Sequence, residues 1–319
     1  MASSTTPESA ASKLRAQLAN KNDIIVCPGV YDGFTARLAL NAGFKTLYMV
    51  RYSLPLILRS RFSLLGIADL GVATMNDMRD NAAMIASIDP SVPLIADADT
   101  GYGSVYPSLH DSAGPLMVGR TTAAYISAGV AALHLEDQVV NKRCGHLKNK
   151  ELVDEATFIS RITASANMRA QLGRDIVIIA RTDALASLGY NTALTRLKAA
   201  MEAGADVAFL EGVTSVKEAK RFCSDMGEVP CLYNCVPGGV SPVLSVGEAK
   251  GAGYRIMITP TLALEAVYEA VGEACRKLRE KGDTSGNGVG VRKLFESCGL
   301  EEAVEFDVKA GGRGYEKGI

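Results

Sequence analysis

The sequence lacks several features that would point to particular classes of protein. Its net charge is only −1 at pH 7 over 319 residues, which argues against nucleic acid or an acidic membrane surface as the main partner. It contains no run of about eighteen apolar residues, so no membrane span is expected. No apolar targeting segment precedes a cleavage site, and the seven cysteines are odd in number and lack metal-ligand spacing. We therefore expect free thiols and a cytoplasmic location.

What the sequence does contain is a repeated pattern in which a helical stretch ends in Ala-Gly or a similar pair and an apolar strand follows at once. Glycine directly after a helix favours the left-handed conformation that turns the chain back. Most of the apolar runs are continuous, as expected for parallel strands buried on both faces. The runs are Ile24–Cys27, Thr46–Met49, Leu94–Ala96, Ala132–Leu135, Ile176–Ala180, Val207–Leu210, Cys231–Tyr233 and Arg255–Ile258.

This alternation predicts an α/β protein with the TIM (β/α)8 barrel fold. An open doubly wound sheet is the alternative, but the first run is followed by no glycine-rich dinucleotide-binding motif. We predict a disordered or helical tail over residues 1–20, the catalytic barrel over residues 21–282 and a C-terminal arm over residues 283–319. A linker rich in glycine and small polar residues begins this arm, and we expect the arm to contact another subunit.

Polar side chains fall at the ends of these runs more regularly than random placement would allow. In a TIM barrel the C-terminal ends of all strands meet at one face, where the active site lies. We therefore predict that these side chains form one cluster. They are Tyr31, Asp32, Tyr48, Asp97, Asp99, Thr100, Glu136, Asp137, Arg181, Asp183, Glu211, Asn234 and Thr259.

Three of these acids form a candidate metal site. Asp97 and Asp99 are two residues apart, so an extended chain directs both to the same side. Glu136 ends the next run and brings a third hard oxygen donor. Such donors suit Mg²⁺, which keeps several waters and leaves positions for substrate oxygens. Solvated acids in a turn are the alternative.

Cys144 differs from the other cysteines in its neighbours. Lys142, Arg143 and His146 lie beside it in a polar segment, and nearby cations lower the pKa of a thiol, which could then transfer a proton near neutral pH. The alternative is a small buried hydrophobic residue, the usual role of an intracellular cysteine. We predict that buried role for Cys27, Cys223, Cys231, Cys235, Cys275 and Cys298.

Arg181 ends an apolar run, where its charge needs a partner. A substrate carboxylate bound through two guanidinium nitrogens would supply one. A structural ion pair with Asp183 or Glu211 is the alternative. His134 lies within a predicted strand, and we interpret it as a structural histidine.

The chain contains four motifs that are specific in combination: Asp97–Gly103, Leu135–Gln138, Lys142–His146 and Ala180–Ala184. Together they resemble the isocitrate lyase/phosphoenolpyruvate mutase superfamily, over a region from about residue 24 to the C-terminal end. Within it, the sequence is most similar to the branch of fungal oxaloacetate acetylhydrolase and 2,3-dimethylmalate lyase, and Lys293–Leu300 shares that similarity.

The resemblance implies a Mg²⁺-dependent barrel, with Mn²⁺ as the alternative ion, that cleaves or forms a carbon–carbon bond beside a carboxylate. It implies a small di- or tricarboxylate substrate and a dimer of dimers in which subunits exchange the last barrel helix. It implies that Cys144 protonates the enolate product and that Tyr48 lies beside the reacting oxygen. By position it assigns metal binding to Asp97, Asp99, Glu136 and Asp69, substrate binding to Arg181, Asn234, Glu211, Thr259 and Pro260, and catalysis to Cys144, Tyr48, His146 and Arg181.

Two positions discriminate between activities within the superfamily. The Lys142–His146 motif is absent from the phosphonate-forming mutases, so phosphorus–carbon chemistry is disfavoured. Acetylhydrolases of this branch resemble one another in a serine after the last strand, where this chain has Pro260. Proline has no N–H or hydroxyl to donate, which favours a lyase of a methyl-substituted malate or methylisocitrate. An oxaloacetate acetylhydrolase that releases oxalate and acetate is the alternative.

Two segments depart from the family pattern. Residues 50–65 are bulky and lack glycine where the family has a small-residue turn, and residues 104–113 are an insertion beside the candidate metal carboxylates. They could adapt the site to a larger substrate, abolish activity and leave a binding protein, or reflect an incorrect gene model. Sequencing the mature transcript tests the last of these explanations.

Overall fold

The computed structural model describes residues 8–50, 73–103, 114–140, 149–282 and 288–315. Within these ranges, eight parallel strands close into a barrel in which each strand pairs with the next along the chain and β8 pairs with β1. The predicted TIM barrel is therefore confirmed. The strands are β1 (Ile25–Val30), β2 (Leu47–Met49), β3 (Leu94–Asp97), β4 (Ala132–Glu136), β5 (Val177–Thr182), β6 (Val207–Leu210), β7 (Cys231–Asn234) and β8 (Ile256–Thr259).

One helix precedes the first strand, and the others follow strands or one another along the chain. They are α1 (Ala10–Ala19), α2 (Gly33–Asn41), α3 (Met75–Ile88), α4 (Pro115–Ser127), α5 (Glu155–Leu172), α6 (Leu185–Leu188), α7 (Tyr190–Glu202), α8 (Val216–Met226), α9 (Val246–Ala252), α10 (Leu262–Lys281), α11 (Val291–Ser297) and α12 (Leu300–Lys309). None of the described helices is both long enough and apolar enough to cross a membrane.

At the helix ends, glycines of the Ala-Gly pairs adopt the left-handed conformation that the sequence predicts. Gly204, after α7, has φ +108°, and a Cβ atom there would lie 2.8 Å from the Cβ of Ala166. Gly253, after α9, has φ +104° and would similarly contact Cys223. Only glycine fits both the backbone conformation and the close packing, so these positions return the chain from helix to strand.

The apolar residues form two layers. One fills the inside of the barrel, and the other lies between the strands and the surrounding helices. Leu14 of α1 belongs to the inner layer and is fully buried, while Arg15 pairs with Asp175 at 2.6 Å and with Asp206 at 2.9 Å. The N-terminal segment that was predicted as a disordered or helical tail is thus helical over α1 and packs against the barrel.

The strands extend further towards their C-terminal ends than the apolar runs predicted. β3 includes Asp97, β4 includes Glu136, β5 includes Arg181, β7 includes Asn234 and β8 includes Thr259. These polar side chains are therefore fixed by strand hydrogen bonding rather than by loops, and Glu136 is the neighbour of Arg181 in the β4–β5 register.

The last three helices leave much apolar surface uncovered in the single chain. Of the residues of α10, Leu264 alone is buried. α11 and α12 lie within the C-terminal arm predicted over residues 283–319. The prediction that Cys275 and Cys298 are buried is wrong, because both are exposed on these outer elements. Cys27, Cys223, Cys231 and Cys235 are buried as predicted.

Candidate active site

The predicted cluster of strand-end residues forms at the C-terminal face of the barrel, as far as these residues are described. Its members come from β2, β3, β4, β5 and β7 and from the residue after β6. Tyr48, Asp97, Asp99, Glu136, Arg181, Glu211 and Asn234 are all buried. Charged side chains are rarely buried unless they are paired or bind an ion.

The turn after β3 has an uncommon backbone. Asp99 has φ +48° and Tyr102 has φ +57°, a conformation that L-residues other than glycine adopt at a cost. The turn is held because the Asp99 N–H donates to Asp97 Oδ1 at 2.8 Å, and the hydroxyls of Tyr102 and Tyr125 donate to the Asp97 carbonyl at 3.0 and 2.8 Å. Strain of this kind clusters at functional sites, which favours a role for Asp97 and Asp99 beyond a solvated turn.

His134 joins this cluster, although the sequence suggested only a structural role. Its Nε2 atom lies 2.7 Å from the Tyr48 hydroxyl and 3.4 Å from Asp97 Oδ1. The residue is fully buried. A signal was present in the sequence, since His134 stands two residues before Glu136 and strand side chains two apart point to the same face.

Arg181 is surrounded by carboxylates. Its Nε and Nη2 atoms donate to Asp183 at 2.9 and 3.2 Å, its Nε lies 3.3 Å from Glu136 Oε2, and its Nη2 lies 3.5 Å from Glu211 Oε2. The guanidinium also lies over the ring of Phe209, 5.2 Å from its centroid. Burial by itself would lower the pKa of Arg181, but the carboxylates of Asp183, Glu136 and Glu211 outweigh it and raise that pKa well above the ordinary value. The guanidinium stays charged.

The structural ion pair that was the alternative for Arg181 is therefore present, and it involves both acids named for it. Asp183 occupies the Nε–Nη2 edge, so that edge is not open to a substrate. Within the described residues, Nη1 makes no hydrogen bond. A substrate carboxylate would contact Nη1, which limits the two-nitrogen mode predicted from the sequence.

Asn234 and Glu211 form a second polar pair beside Arg181. Asn234 Nδ2 donates to Glu211 Oε2 at 3.1 Å. The remaining oxygens, Asn234 Oδ1 and Glu211 Oε1, are buried and have no hydrogen-bond partner in the described part of the chain. Buried polar atoms without a partner are costly, which points to a ligand at this position.

The end of β8 lies beside β7 at the same face of the barrel. Thr259 pairs with Pro28 in the β8–β1 register and is partly buried, and Pro260 is buried. A side chain at Gly29 would overlap the backbone of Pro260, so the glycine is required for this close approach. Position 260 thus lies at the barrel rim as predicted.

A layer of buried charges lies next to the site; Asp137 and Asp183 belong to the predicted strand-end cluster, whereas Arg196 was not predicted. Asp137 accepts hydrogen bonds from the Thr182 hydroxyl at 2.5 Å, the Asp183 N–H at 2.9 Å and Arg196 Nη1 at 3.0 Å. Burial raises the pKa of the Asp137 carboxyl, as does the charge of Asp183, and these hydrogen bonds and Arg196 oppose that rise. The layer joins the ends of β4 and β5 to α7.

A second buried arginine fixes the end of β4 from α5. Arg161 Nη1 donates to the backbone carbonyls of Glu136 and Gln138, each at 2.8 Å, and burial lowers the pKa of Arg161 to about 10. Arg161 and Arg196 are spaced like ordinary helix residues, and no sequence signal distinguishes them from surface arginines.

A short antiparallel neck follows β4. Val139 N–H donates to the Glu151 carbonyl at 3.0 Å, Val153 N–H donates to the Asp137 carbonyl at 2.9 Å, and Gln138 forms a bridge with Leu152. In the sequence, residues 141–148 connect the two arms of this neck. Cys144 and His146 belong to that connection and lie outside the described residues, as do Asp69, residues 51–65 of the first atypical segment and all of the second, residues 104–113.

The described donors fit a hard divalent cation. Among the described residues at the strand ends, the buried carboxylates outnumber the buried cations Arg181 and Lys150; they are Asp97, Asp99, Glu136, Asp183 and Glu211. An anionic substrate would be repelled by this excess of negative charge unless a cation entered with it. No three His, Cys, Asp or Glu side chains in the described ranges are close enough to hold an ion by themselves. An ion here would keep waters in its coordination sphere, as Mg²⁺ does.

Comparisons with known proteins identify relatives of this chain. The family model described as Phosphoenolpyruvate phosphomutase matches residues 14–279. The chain is similar to 2-methylisocitrate lyase of Aeropyrum pernix, with 35% identity over 266 residues that cover 83% of this chain and 79% of that protein.

Two solved structures extend the similarity to the whole fold. A crystal structure of 2,3-dimethylmalate lyase, a PEP mutase/isocitrate lyase superfamily member, has a TM-score of 0.90 and 47% identity, and the match covers 98% of this chain and 99% of that one. A structure of oxaloacetate acetylhydrolase with the inhibitor 3,3-difluorooxalacetate has a TM-score of 0.88 and 46% identity, covering 96% and 99%.

Proposed function

Because this chain belongs to the PEP mutase/isocitrate lyase superfamily, we propose that it cleaves a 2-hydroxy dicarboxylate, of the methyl-substituted malate or methylisocitrate type, to a 2-oxo acid and a carboxylate. The predicted family and the predicted class of carbon–carbon lyase are confirmed by the relatives. The substrate within that class is our proposal. The observation that carries it is the buried group of carboxylates around Arg181, with open acceptors on Asn234 and Glu211.

The reaction breaks the bond between the hydroxyl-bearing carbon and its neighbour. The hydroxyl proton leaves, the oxygen becomes the carbonyl of the 2-oxo acid, and the electron pair of the broken bond moves to the neighbouring carbon beside its carboxylate. A proton then adds to that carbon. Charge develops on this carboxylate, so cationic groups that face it stabilise the transition state.

The residues of this chain have distinct roles in the proposal. Arg181 Nη1 and the Asn234–Glu211 pair bind the substrate's carboxylate and hydroxyl groups. Tyr48, held by His134 at 2.7 Å, lies beside the reacting oxygen. Cys144 supplies the proton to carbon, with His146 as its neighbour in the sequence.

Asp97, Asp99 and Glu136 would hold Mg²⁺ or Mn²⁺ directly or through water, with Asp69 as a further ligand. When bound, the ion supplies a positive charge that polarises substrate oxygens and offsets the buried carboxylates. The strained turn after β3 fixes Asp97 and Asp99 for this task.

Removal of divalent cations is expected to abolish turnover. Enzyme dialysed against EDTA should lose at least 100-fold in rate, because metal-assisted charge stabilisation supplies roughly several kcal/mol. Added Mg²⁺ or Mn²⁺ should restore the rate, and thermal unfolding serves as the control for intact fold. Chelated enzyme that retains its full rate would contradict the metal assignment.

The lyase is favoured over the acetylhydrolase by Pro260. The identities to the two solved structures are nearly equal, 47% and 46%, so they do not discriminate between these activities. Pro260 is buried at the rim and has no N–H or hydroxyl to donate to a hydrated oxaloacetate.

A substrate screen tests the proposal. Purified protein with Mg²⁺ is incubated with 2,3-dimethylmalate, 2-methylisocitrate, isocitrate and oxaloacetate, and 2-oxo acid and oxalate are measured separately. Release of a 2-oxo acid from a methyl-substituted substrate is the expected result. Release of oxalate from oxaloacetate would mean that the protein is the hydrolase rather than the lyase. If no substrate is turned over and calorimetry shows no oxalate binding, a binding protein that has lost catalytic activity is favoured.

We also propose a homo-oligomer, a dimer of dimers in which α10 is exchanged between subunits. The outer helices expose large apolar side chains, among them Leu262, Val271, Leu278, Phe295 and Phe306, whose exposed fractions lie between 52% and 74%. An apolar surface of this kind is usual at subunit contacts. Light scattering should give the mass of four chains, and a monomer mass would contradict the proposal. The cytoplasmic location stays a prediction.

A further inference from the structure

Asp183 is a fully buried carboxylate shared by two cations. Its Oδ2 accepts from Arg181 Nε at 2.9 Å, while its Oδ1 accepts from Arg181 Nη2 at 3.2 Å and from Lys150 Nζ at 2.7 Å. The side chain of Lys150 is itself only 6% exposed. Lys150 was not among the residues singled out in the sequence, and the proposed reaction does not yet use it.

The contact between Lys150 and Asp183 joins two separate parts of the chain. Lys150 directly precedes the second arm of the neck, where Glu151 and Val153 pair with the first arm. Its ammonium group reaches from the neck to the end of β5. The side chain of Lys150 therefore links the neck to Asp183, the carboxylate that binds Arg181.

The charges around Arg181 show how the contact between Lys150 and Asp183 affects the site. Three carboxylates, those of Asp183, Glu136 and Glu211, face one guanidinium. The ammonium of Lys150 offsets part of the charge on Asp183. Without it, Asp183 would attract Arg181 more strongly, and less positive potential would remain at Nη1, where no described group is bound.

We propose that Lys150 is a positioning residue, which orients Asp183 so that Arg181 Nη1 stays available for a substrate carboxylate. This proposal rests on the proposed function, because it takes Arg181 as the group that binds substrate. Lys150 acts through Asp183 and does not itself need to contact the substrate.

The test compares Lys150→Met and Lys150→Arg in the full chain. Lys150→Met should raise KM about 10-fold or more with kcat changed by less than about 3-fold, because weakened binding of a remote carboxylate acts on ground and transition states alike. Lys150→Arg, which keeps the charge, should bring KM back to within about 3-fold of the parent value. Lys198→Met removes an exposed lysine of α7 and is the matched control.

Unchanged KM in Lys150→Met would overturn the proposal. So would an equal loss in kcat that Lys150→Arg does not rescue, which is the result for a merely structural lysine. If the parent protein turns over none of the substrates, the proposed function fails. The positioning role of Lys150 is then tested by calorimetry with oxalate and Mg²⁺. Weaker oxalate binding by Lys150→Met would still support it, whereas equal affinity, or no binding by the parent, would overturn it.

Discussion

Arg181→Met is expected to lower kcat/KM by about 10³-fold, because it removes the cation that binds a substrate carboxylate in a buried site. It also leaves Asp183, Glu136 and Glu211 buried without the group they share. Breaking a buried ion pair by removing one partner costs about 3–5 kcal/mol of folding free energy. Activity must therefore be measured per folded molecule, with the folded fraction taken from circular dichroism and the active-site rate from initial velocities.

Arg181→Lys separates the two effects of that change. Lysine keeps the positive charge but cannot span Asp183, Glu136 and Glu211 at once, since it lacks the planar fork of the guanidinium. The variant should fold close to normally and still lose most of kcat/KM. Arg120→Met, which removes an exposed arginine of α4, is the control. Full activity in Arg181→Lys would mean that the charge alone matters and that the geometry around Nη1 does not.

Cys144→Ser is expected to lower kcat by about 10²- to 10⁴-fold with little change in KM, because a positioned proton donor contributes about that much. A serine hydroxyl is a far weaker acid than a thiol flanked by cations. The measurement is kcat and KM in the substrate screen, together with deuterium incorporation into the carboxylate product in heavy water. Cys275→Ser, at an exposed cysteine of α10, is the matched control.

A Cys144→Ser enzyme that keeps full activity would remove the thiol from the mechanism. Loss of activity without change in the control variant supports proton transfer from Cys144. Slow turnover with unchanged KM would further show that the substrate still binds through Arg181 and the Asn234–Glu211 pair. The two predictions thus separate the binding half of the site from the proton-donating half.

Local patterns were enough to predict the barrel and the face on which the site forms. Continuous apolar runs indicate parallel strands, and glycine after several of the helices marks the return of the chain, as Gly204 and Gly253 confirm. These signals are local because strand burial and left-handed backbone depend on a few neighbouring residues. The motifs around Asp97, Glu136 and Arg181 carried the family resemblance for the same reason.

Other features of the site could not be predicted from local sequence patterns. Arg181 could have paired with substrate or with protein, and the choice depended on Glu136 and Glu211, which lie far from it in the sequence. His134 became a partner of Tyr48 across 86 positions. The exposure of Cys275 also depends on which face of α10 remains uncovered in the folded chain.

The sequence by itself thus determined the strand order, the strand-end acids and the family, because each rests on periodicity or on short motifs. Tertiary structure alone decided that α1 seals the inside of the barrel with Leu14, that Asp183 holds Arg181 on one edge, and that Lys150 shares this carboxylate. Long charged side chains have many rotamers, and the barrel geometry selects the partner that each one reaches.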